Sequence, residues 1–198
     1  MKTALFIGAN SDIAKSAIEL LQDEYHIIAV DRKVIDLSDP TSELRIHMAL
    51  TMAAPDVVIN CAGVFKENAD ADYDTTFDVN VKSNWSVIKH YIDNPPSKPV
   101  KFIMLGSSCY NHGRRNFILY AASKAALFNM WQGASEFVSE NLKLGLINPV
   151  HVHTKMTAFR VHPNPDICLE PIDVAVEIKN LCAMTESRYI DIDYKRKD

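Results

Sequence analysis

Short apolar runs rich in β-branched residues alternate along the chain with longer segments of helical period, and this alternation restricts the fold more than any other feature of the sequence. A strand followed by a helix and then by a second strand closes most readily as a βαβ unit. The pattern therefore predicts an α/β chain with a doubly wound, mainly parallel sheet and helices on both faces. The expected strands are Thr3–Ile7, His26–Val30, Val57–Asn60, Val100–Leu105, Lys143–Ile147 and Tyr189–Ile192; a further short strand is read at Val34-Ile35, giving about seven. Helices are expected over Asp12–Leu21, Thr41–Ala49, Tyr73–Ile92, Tyr120–Ser139 and Asp173–Met184. Asn94-Pro95-Pro96-Ser97-Lys98-Pro99 cannot continue a helix and reads as the turn into the strand at Val100. The alternation resumes after it, so residues 1–198 are read as one domain.

With 198 residues, 47% of them hydrophobic, the chain can bury the core of one generous domain and is short for two. Its 21 basic and 25 acidic residues give a net charge of −4, which offers no footprint for a nucleic-acid backbone or an anionic membrane. No apolar run approaches the ~18 residues of a membrane span. Ala4-Leu5-Phe6-Ile7 is too short for a signal-peptide core. Cys61, Cys109, Cys168 and Cys182 fall at no C-x-x-C or metal-ligand spacing. They read as reduced thiols of a cytoplasmic protein, at least three of them buried small hydrophobes, and no metal is expected.

The first strand runs into Gly8-Ala9-Asn10-Ser11-Asp12-Ile13-Ala14, where a helix pattern begins at once. A strand, a tight glycine turn and a helix N-terminus aim unpaired N–H groups and a positive dipole end at one point, which suits a pyrophosphate. Of the three glycines of a full dinucleotide fingerprint only Gly8 stands; Asp12 and Ala14 occupy the other two places. Ala14 is compatible with close helix–strand packing. Asp12 would repel pyrophosphate unless its side chain turns aside and caps its own helix. Asp31 ends the second strand 23 residues after Gly8, near the ~20 expected of an acid that accepts hydrogen bonds from the adenosine ribose, which favours NAD. Arg32 beside it can instead hold a 2′-phosphate, so NADP stands as the alternative, and an ordinary strand-end cap would look the same as Asp31.

Tyr120-Ala121-Ala122-Ser123-Lys124 places a phenol and an ammonium one helical turn apart. An ammonium near a phenol favours the phenolate, so the pair is expected to bring the phenol below its ordinary pKa of ~10, toward what an acid or base needs at neutral pH. Seven tyrosines and 14 lysines in 198 residues yield such a spacing by chance in roughly every second chain, so its surroundings decide its meaning. Ser107 lies 13 residues upstream, at the end of the apolar run Phe102-Ile103-Met104-Leu105. At the C-terminal end of a parallel strand its hydroxyl would face the crevice in which open α/β sheets bind ligands, with Ser108 as the fallback.

Together these residues resemble the short-chain dehydrogenase/reductase family over nearly the whole chain. The markers run in order: the turn at Gly8, Asp36-Leu37, Asn60-Cys61-Ala62-Gly63, Asn80, Gly106-Ser107, Tyr120-x-x-x-Lys124, Asn148-Pro149 and Thr154. The resemblance implies a Rossmann-type fold and an oxidoreductase that moves a hydride between NAD(P) and a small alcohol or carbonyl compound. It implies a tetrad in which Tyr120 is the acid/base, Ser107 orients the substrate oxygen, Lys124 grips the nicotinamide ribose and lowers the phenol pKa, and Asn80 anchors a proton relay. The implied cofactor path runs through Gly8, Asn10, Ser11, Ile13, Asp31, Arg32, Asp36, Leu37, Asn60, Ala62, Tyr120, Lys124, Pro149, Val152 and Thr154.

Two departures lie along that path: the thinned glycine turn, and Val150 where the family usually has glycine. The stretch Lys155–Glu170, where the family builds its substrate lid, is short, which implies an open site or one completed by another subunit. His151, His153, His162 and Arg160 crowd this stretch as loop histidines or as an anionic clamp. The acidic run Glu67–Asp74 reads as a solvated loop that places negative charge at a helix start. Trp85 and Trp131 lie on the helices that form the family's usual dimer face, implying a homodimer or homotetramer; as core aromatics they would look the same. A competing reading is a catalytically weak NAD(P)-binding regulator or scaffold with the same fold.

Overall fold

β1 (Lys2–Ile7) pairs in parallel with β2 (Tyr25–Val30) on one side and with β3 (Val57–Asn60) on the other. Outward from β3 come β4 (Val100–Leu105), β5 (Leu142–Pro149) and β6 (Arg188–Ile192), all parallel. The computed structural model describes residues 1–137, 139–159 and 168–192. Within them the sheet has six strands in the order β2-β1-β3-β4-β5-β6. The seventh strand expected at Val34-Ile35 does not form. One carboxylate oxygen of Asp31 accepts the N–H groups of Lys33 and Val34, and its carbonyl accepts those of Val34 and Ile35. That turn consumes the donors a ladder would need, and Ile35 drops into the core instead.

The helices are α1 (Asp12–Leu21), α2 (Ser42–Ala53), α3 (Tyr73–Phe77), α4 (Ser83–Asp93), α5 (Ile118–Phe137) and α6 (Pro171–Ala183). Period-2 alternation divides them between two faces. Ala4, Phe6, Ile59 and Ile103 point to the face covered by Ala14, Ala17 and Leu21 of α1 and Val174, Ile178 and Leu181 of α6. Leu5, Ile7, Val58, Phe102 and Met104 point to the other, under Ile46 and Leu50 of α2, Val87 and Ile88 of α4 and Leu127 of α5. Covered on both sides, β3 and β4 are buried throughout, which is why they read as continuous apolar runs.

The expected helix Tyr73–Ile92 is present but interrupted by a π turn at Asp78–Lys82. Such turns bulge a helix and re-aim its side chains, often at functional sites. Asp72 caps its start by accepting the Thr75 N–H at 2.7 Å, as the acidic run suggested. The chain leaves β1 toward β2 on one side, and β3 returns on the other. The C-terminal ends of β1 and β3 therefore bound the crevice where strand order reverses.

No helix among the described residues is long and apolar enough to cross a membrane. Cys61, Cys109 and Cys168 are buried free thiols and Cys182 is half-buried.

Candidate active site

A cavity of about 840 Å³ opens at the C-terminal ends of β1, β3, β4 and β5. At its first wall, Gly8 has φ +74, and a Cβ there would lie 2.5 Å from the Ala62 nitrogen, so the turn between β1 and α1 can touch the end of β3 only as glycine. Ser11, not Asp12, caps α1: its hydroxyl accepts the Ala14 N–H at 3.1 Å. Asp12 turns away from the helix toward the loop after β5. Its Oδ2 accepts the Lys155 N–H at 2.8 Å, its Oδ1 lies 3.3 Å from Lys155 Nζ, and that ammonium also donates to the Asn10 carbonyl at 3.0 Å. Partial burial acts to raise the Asp12 pKa, but the bonds and charge of Lys155 more than offset it and hold the carboxyl below its ordinary value.

Asp31 stands at the end of β2 and accepts from Asn10 Nδ2 at 2.7 Å, which ties it to the glycine turn. Arg32 pairs with Asp36 at 3.0 Å. The Ser38 backbone N–H, followed by Arg32, holds the Asp36 carboxyl below the usual range.

The wall that carries Ser107, Tyr120 and Lys124 is built from the end of β4 and the start of α5. Ser107 is buried and accepts the Cys109 N–H at 3.2 Å, capping the 3₁₀ turn Ser108–Asn111. Lys124 is buried; its Nζ donates to the Leu105 carbonyl at 2.8 Å and lies 5.6 Å from the centre of the Tyr120 ring. Burial pulls its pKa down to about 8. The expected lowering of the phenol is not found. Desolvation pushes Tyr120 up to about 12, and the group that acts to lower it is the Ser107 hydroxyl, bonded to the phenol, not Lys124. Phe65 meets the Tyr120 ring edge-on at 4.7 Å and Phe117 lies at 6.1 Å, fixing the phenol's orientation.

Asn80 sits fully buried in the π turn and does not line the cavity. Its amide accepts the Val64 N–H at 2.9 Å and donates to the Val64 carbonyl and to Ser123 Oγ, both at 3.0 Å. It thus binds the loop after β3 to α5, the helix that carries Tyr120 and Lys124. Asn60 is likewise buried, donating to Ser83 Oγ and Asn84 Oδ1 and accepting the Ala62 N–H, each at 3.0 Å.

The other expected residues, Gly8, Asn10, Ser11, Ile13, Asp31, Arg32, Asp36, Leu37, Ala62, Pro149, Val152 and Thr154, line the cavity together with Ser107, Ser108, Tyr120 and Lys124. Val150 also lines it, with its N–H bonded to the Ile192 carbonyl at 3.1 Å. Of the histidine cluster His151 lines the cavity, and Arg160 and His162 lie outside the described residues. Among the described residues no group of three or more side chains could hold a metal. Trp131 is buried with its indole N–H on the Leu144 carbonyl at 3.3 Å, as a core aromatic, whereas Trp85 is 41% exposed on α4. Sequence reasoning missed Phe65, Phe117, Met156 and Arg114, which also line the cavity, the first three clustered with Tyr120. Phe117 alone carried a signal, lying three residues before Tyr120 on the approach to its helix.

Residues 47–164 match the family of the short chain dehydrogenases. An NADPH-dependent pterin aldehyde reductase of Arabidopsis thaliana is 24% identical over 185 residues, covering 78% of this chain and 76% of that protein. Dehydrogenase/reductase SDR family member 6 of Xenopus laevis is 28% identical over 157 residues, 68% of this chain and 64% of that one. Among solved structures, a short chain dehydrogenase of Burkholderia cenocepacia in complex with NADP superposes with a TM-score of 0.81 at 18% identity, covering 97% of this chain and 96% of the other. A 4-hydroxyisoleucine dehydrogenase complexed with NADH gives 0.82 at 21%, covering 98% and 97%. These two establish a common fold, and a family match that spans more than half of the residues establishes the rest: the chain belongs to the short-chain dehydrogenases.

Proposed function

We propose that this chain is an NAD(P)-dependent oxidoreductase that interconverts a small alcohol and its carbonyl compound, with Tyr120 as the proton-transferring acid/base. What supports the reading is one juxtaposition: Ser107, Tyr120 and Lys124 line the same cavity as the Gly8 turn and Asp31. The donor set fits a dinucleotide. The N-terminus of α1 at Ser11–Ile13 would receive the pyrophosphate, Asp31 the adenosine ribose and Lys124 the nicotinamide ribose. NAD is favoured because the Asp31 carboxylate would receive that ribose and Arg32 is already paired with Asp36; NADP is the alternative. The bound cofactor would supply or accept the hydride.

The protein's own work is on the proton. A phenol held at about 12 stays protonated at physiological pH, which suits it to donate to a carbonyl oxygen. As the proton leaves, the Ser107 hydroxyl stabilises the phenolate left behind. Lys124 spends one donor on the Leu105 carbonyl and keeps two for the ribose and phenol side. Asn80 acts one layer back, holding Val64 and Ser123 in place.

Replacing Tyr120 by Phe is expected to abolish turnover in a carbonyl-reduction screen while NADH and NADPH still bind by isothermal titration. Wild-type turnover in that variant overturns the role of Tyr120. The competing reading, an NAD(P)-binding regulator, draws on the thinned glycine turn with Asp12, on Val150 and on the short lid. Lys155 neutralises Asp12, and the regulator would be supported only by cofactor binding with no turnover across a broad screen. We further propose a homo-oligomer, for which the exposed Trp85 on α4 speaks and which light scattering in solution tests. A reducing cytoplasm suits its buried free thiols.

A further inference from the structure

Charge bookkeeping around the cavity singles out one residue. Three carboxylates line it, and each is engaged: Asp12 by Lys155, Asp31 by Asn10 and its own turn, Asp36 by Arg32 and Ser38. Of the lining cations, Lys155 and Arg32 are thereby paired and Lys124 is bonded to the Leu105 carbonyl. Arg114 remains. It is half-buried, its Nε is buried without a hydrogen-bond partner, and it has no ion pair among the described residues. A buried donor of a permanent cation left in this state costs free energy that a bound anion would recover.

The loop that carries Arg114 is held in place. The Arg114 carbonyl accepts the Phe117 N–H at 3.3 Å. Asn68 then clamps the following residues: its amide donates to the Arg115 carbonyl and accepts the Ile118 N–H, both at 2.8 Å, and its own N–H donates to the Asn116 carbonyl at 3.0 Å. Phe117, tied to Arg114 by its bond to that carbonyl, clusters with Phe65 and Met156 in an apolar wall of the same cavity that ends on the Tyr120 ring. Phe159 stacks on Phe65 at 5.5 Å and extends that wall outward.

We propose that Arg114 determines specificity, and that the substrate is a carbonyl or hydroxyl compound with an apolar, aromatic-compatible body and a carboxylate that the guanidinium receives. This rests on the oxidoreductase reading of the same site. The guanidinium fork matches a carboxylate in two parallel bonds, and an apolar wall beside it strengthens them by excluding water.

The test compares benzoylformate, 3-benzoylpropionate and 4-benzoylbutyrate with their methyl esters as substrates, using NADH and NADPH. Wild type should favour the acid over its ester by roughly 10- to 100-fold in kcat/KM for at least one chain length. That ratio should collapse toward unity in Arg114→Met and recover in part in Arg114→Lys. An enzyme that reduces the esters as well as the acids, or an acid preference that survives Arg114→Met, overturns the proposal. Isothermal titration with 4-phenylbutyrate and 4-phenylbutyramide reads the same preference without chemistry. Equal binding of the two, or a preference unchanged in Arg114→Met, also overturns it. Acid-selective binding that is lost in Arg114→Met, with no turnover of any probe, sustains the Arg114 site and removes the oxidoreductase reading instead.

Discussion

Asp12 accepts the backbone N–H of Lys155 at 2.8 Å and pairs with its ammonium at 3.3 Å, which joins the glycine turn to the loop after β5 in the lining of the cavity. The pair is part-exposed, so on its own it adds less than about 1 kcal/mol to stability. Its effect should fall on cofactor affinity. Lys155→Met leaves a carboxylate beside the proposed pyrophosphate position with only the backbone N–H of residue 155 and the charge of Lys15 to offset it, and the Kd for NADH should rise several-fold. Asp12→Gly in that background removes the repulsion and should restore most of the loss. Titration calorimetry on the two variants decides the matter: an unchanged Kd in Lys155→Met would mean that Asp12 does not feel the cofactor's charge.

The glycines make separable predictions. Gly8→Ala must hold φ +74 and press a Cβ to 2.5 Å from the Ala62 nitrogen, so it should cost at least ~2 kcal/mol of stability and weaken cofactor binding as well. At Gly106 a Cβ would lie 1.9 Å from Asn148 Oδ1, and Asn148 is held by its bond to Asp191 at 3.0 Å. Gly106→Ala should therefore also be strongly destabilising. Gly133 lies within α5 with open space around it, and Gly133→Ala should stabilise by ~0.5–1 kcal/mol through helix propensity. Denaturant midpoints for the three variants should fall in opposite directions from wild type as stated; three like shifts would refute the steric argument.

The divide between what was legible in the sequence and what was not follows the range of the interactions. The strands and helices were readable because each buries a face with its own period, and Gly8 because a strand-to-helix turn needs it. Val34-Ile35 misled because β-branched residues favour a strand only where ladder donors are available, and the Asp31 turn takes them. The Asp12–Lys155 contact joins residues 143 apart and has no local signature. The direction of the Tyr120 shift is hidden for a related reason. Spacing reveals that Lys124 is near, but the desolvation that sets the shift depends on Phe65, Phe117 and Cys109 closing around the ring. Arg114 stood in plain view between Ser107 and Tyr120, yet only the pairing of every other cation in the cavity makes it conspicuous.

Asn80 should behave as a positioning residue. Asn80→Ala leaves the N–H and carbonyl of Val64 without their partner in a part-buried setting, while the Ser123 hydroxyl keeps its bond to the Tyr120 carbonyl, a loss of about 2–3 kcal/mol. Because it frees the loop after β3 rather than removing a reacting group, kcat should fall and the melting temperature with it, whereas Tyr120→Phe should lose turnover with little change in melting. Asn80→Asp keeps the acceptor for Val64 N–H but loses both donated bonds and buries a carboxylate against the Val64 carbonyl, so it should melt no higher than Asn80→Ala. Full activity with normal melting in Asn80→Ala would show that these bonds do not hold the loop.

Lys124 makes the sharpest prediction because its proton is weakly held. Its pKa is about 8 in the folded protein against an ordinary 10.5. Between those values the unfolded chain binds a proton that the folded protein lacks, so the Lys124 contribution to stability rises with pH across the window. Its full extent is on the order of 3 kcal/mol. Tyr120 acts in the opposite sense but only between pH 10 and about 12, where the folded protein keeps a proton that the unfolded chain releases. Urea denaturation of wild type and Lys124→Met at pH 7, 8, 9 and 10 isolates the lysine, because groups common to both cancel in the difference. Wild type should gain stability relative to Lys124→Met from pH 8 upward, and most of that gain should be in place by pH 10. A difference that stays level over this range would mean that the ammonium is held at its ordinary proton affinity, and that Leu105 and the surrounding charges compensate its burial in full.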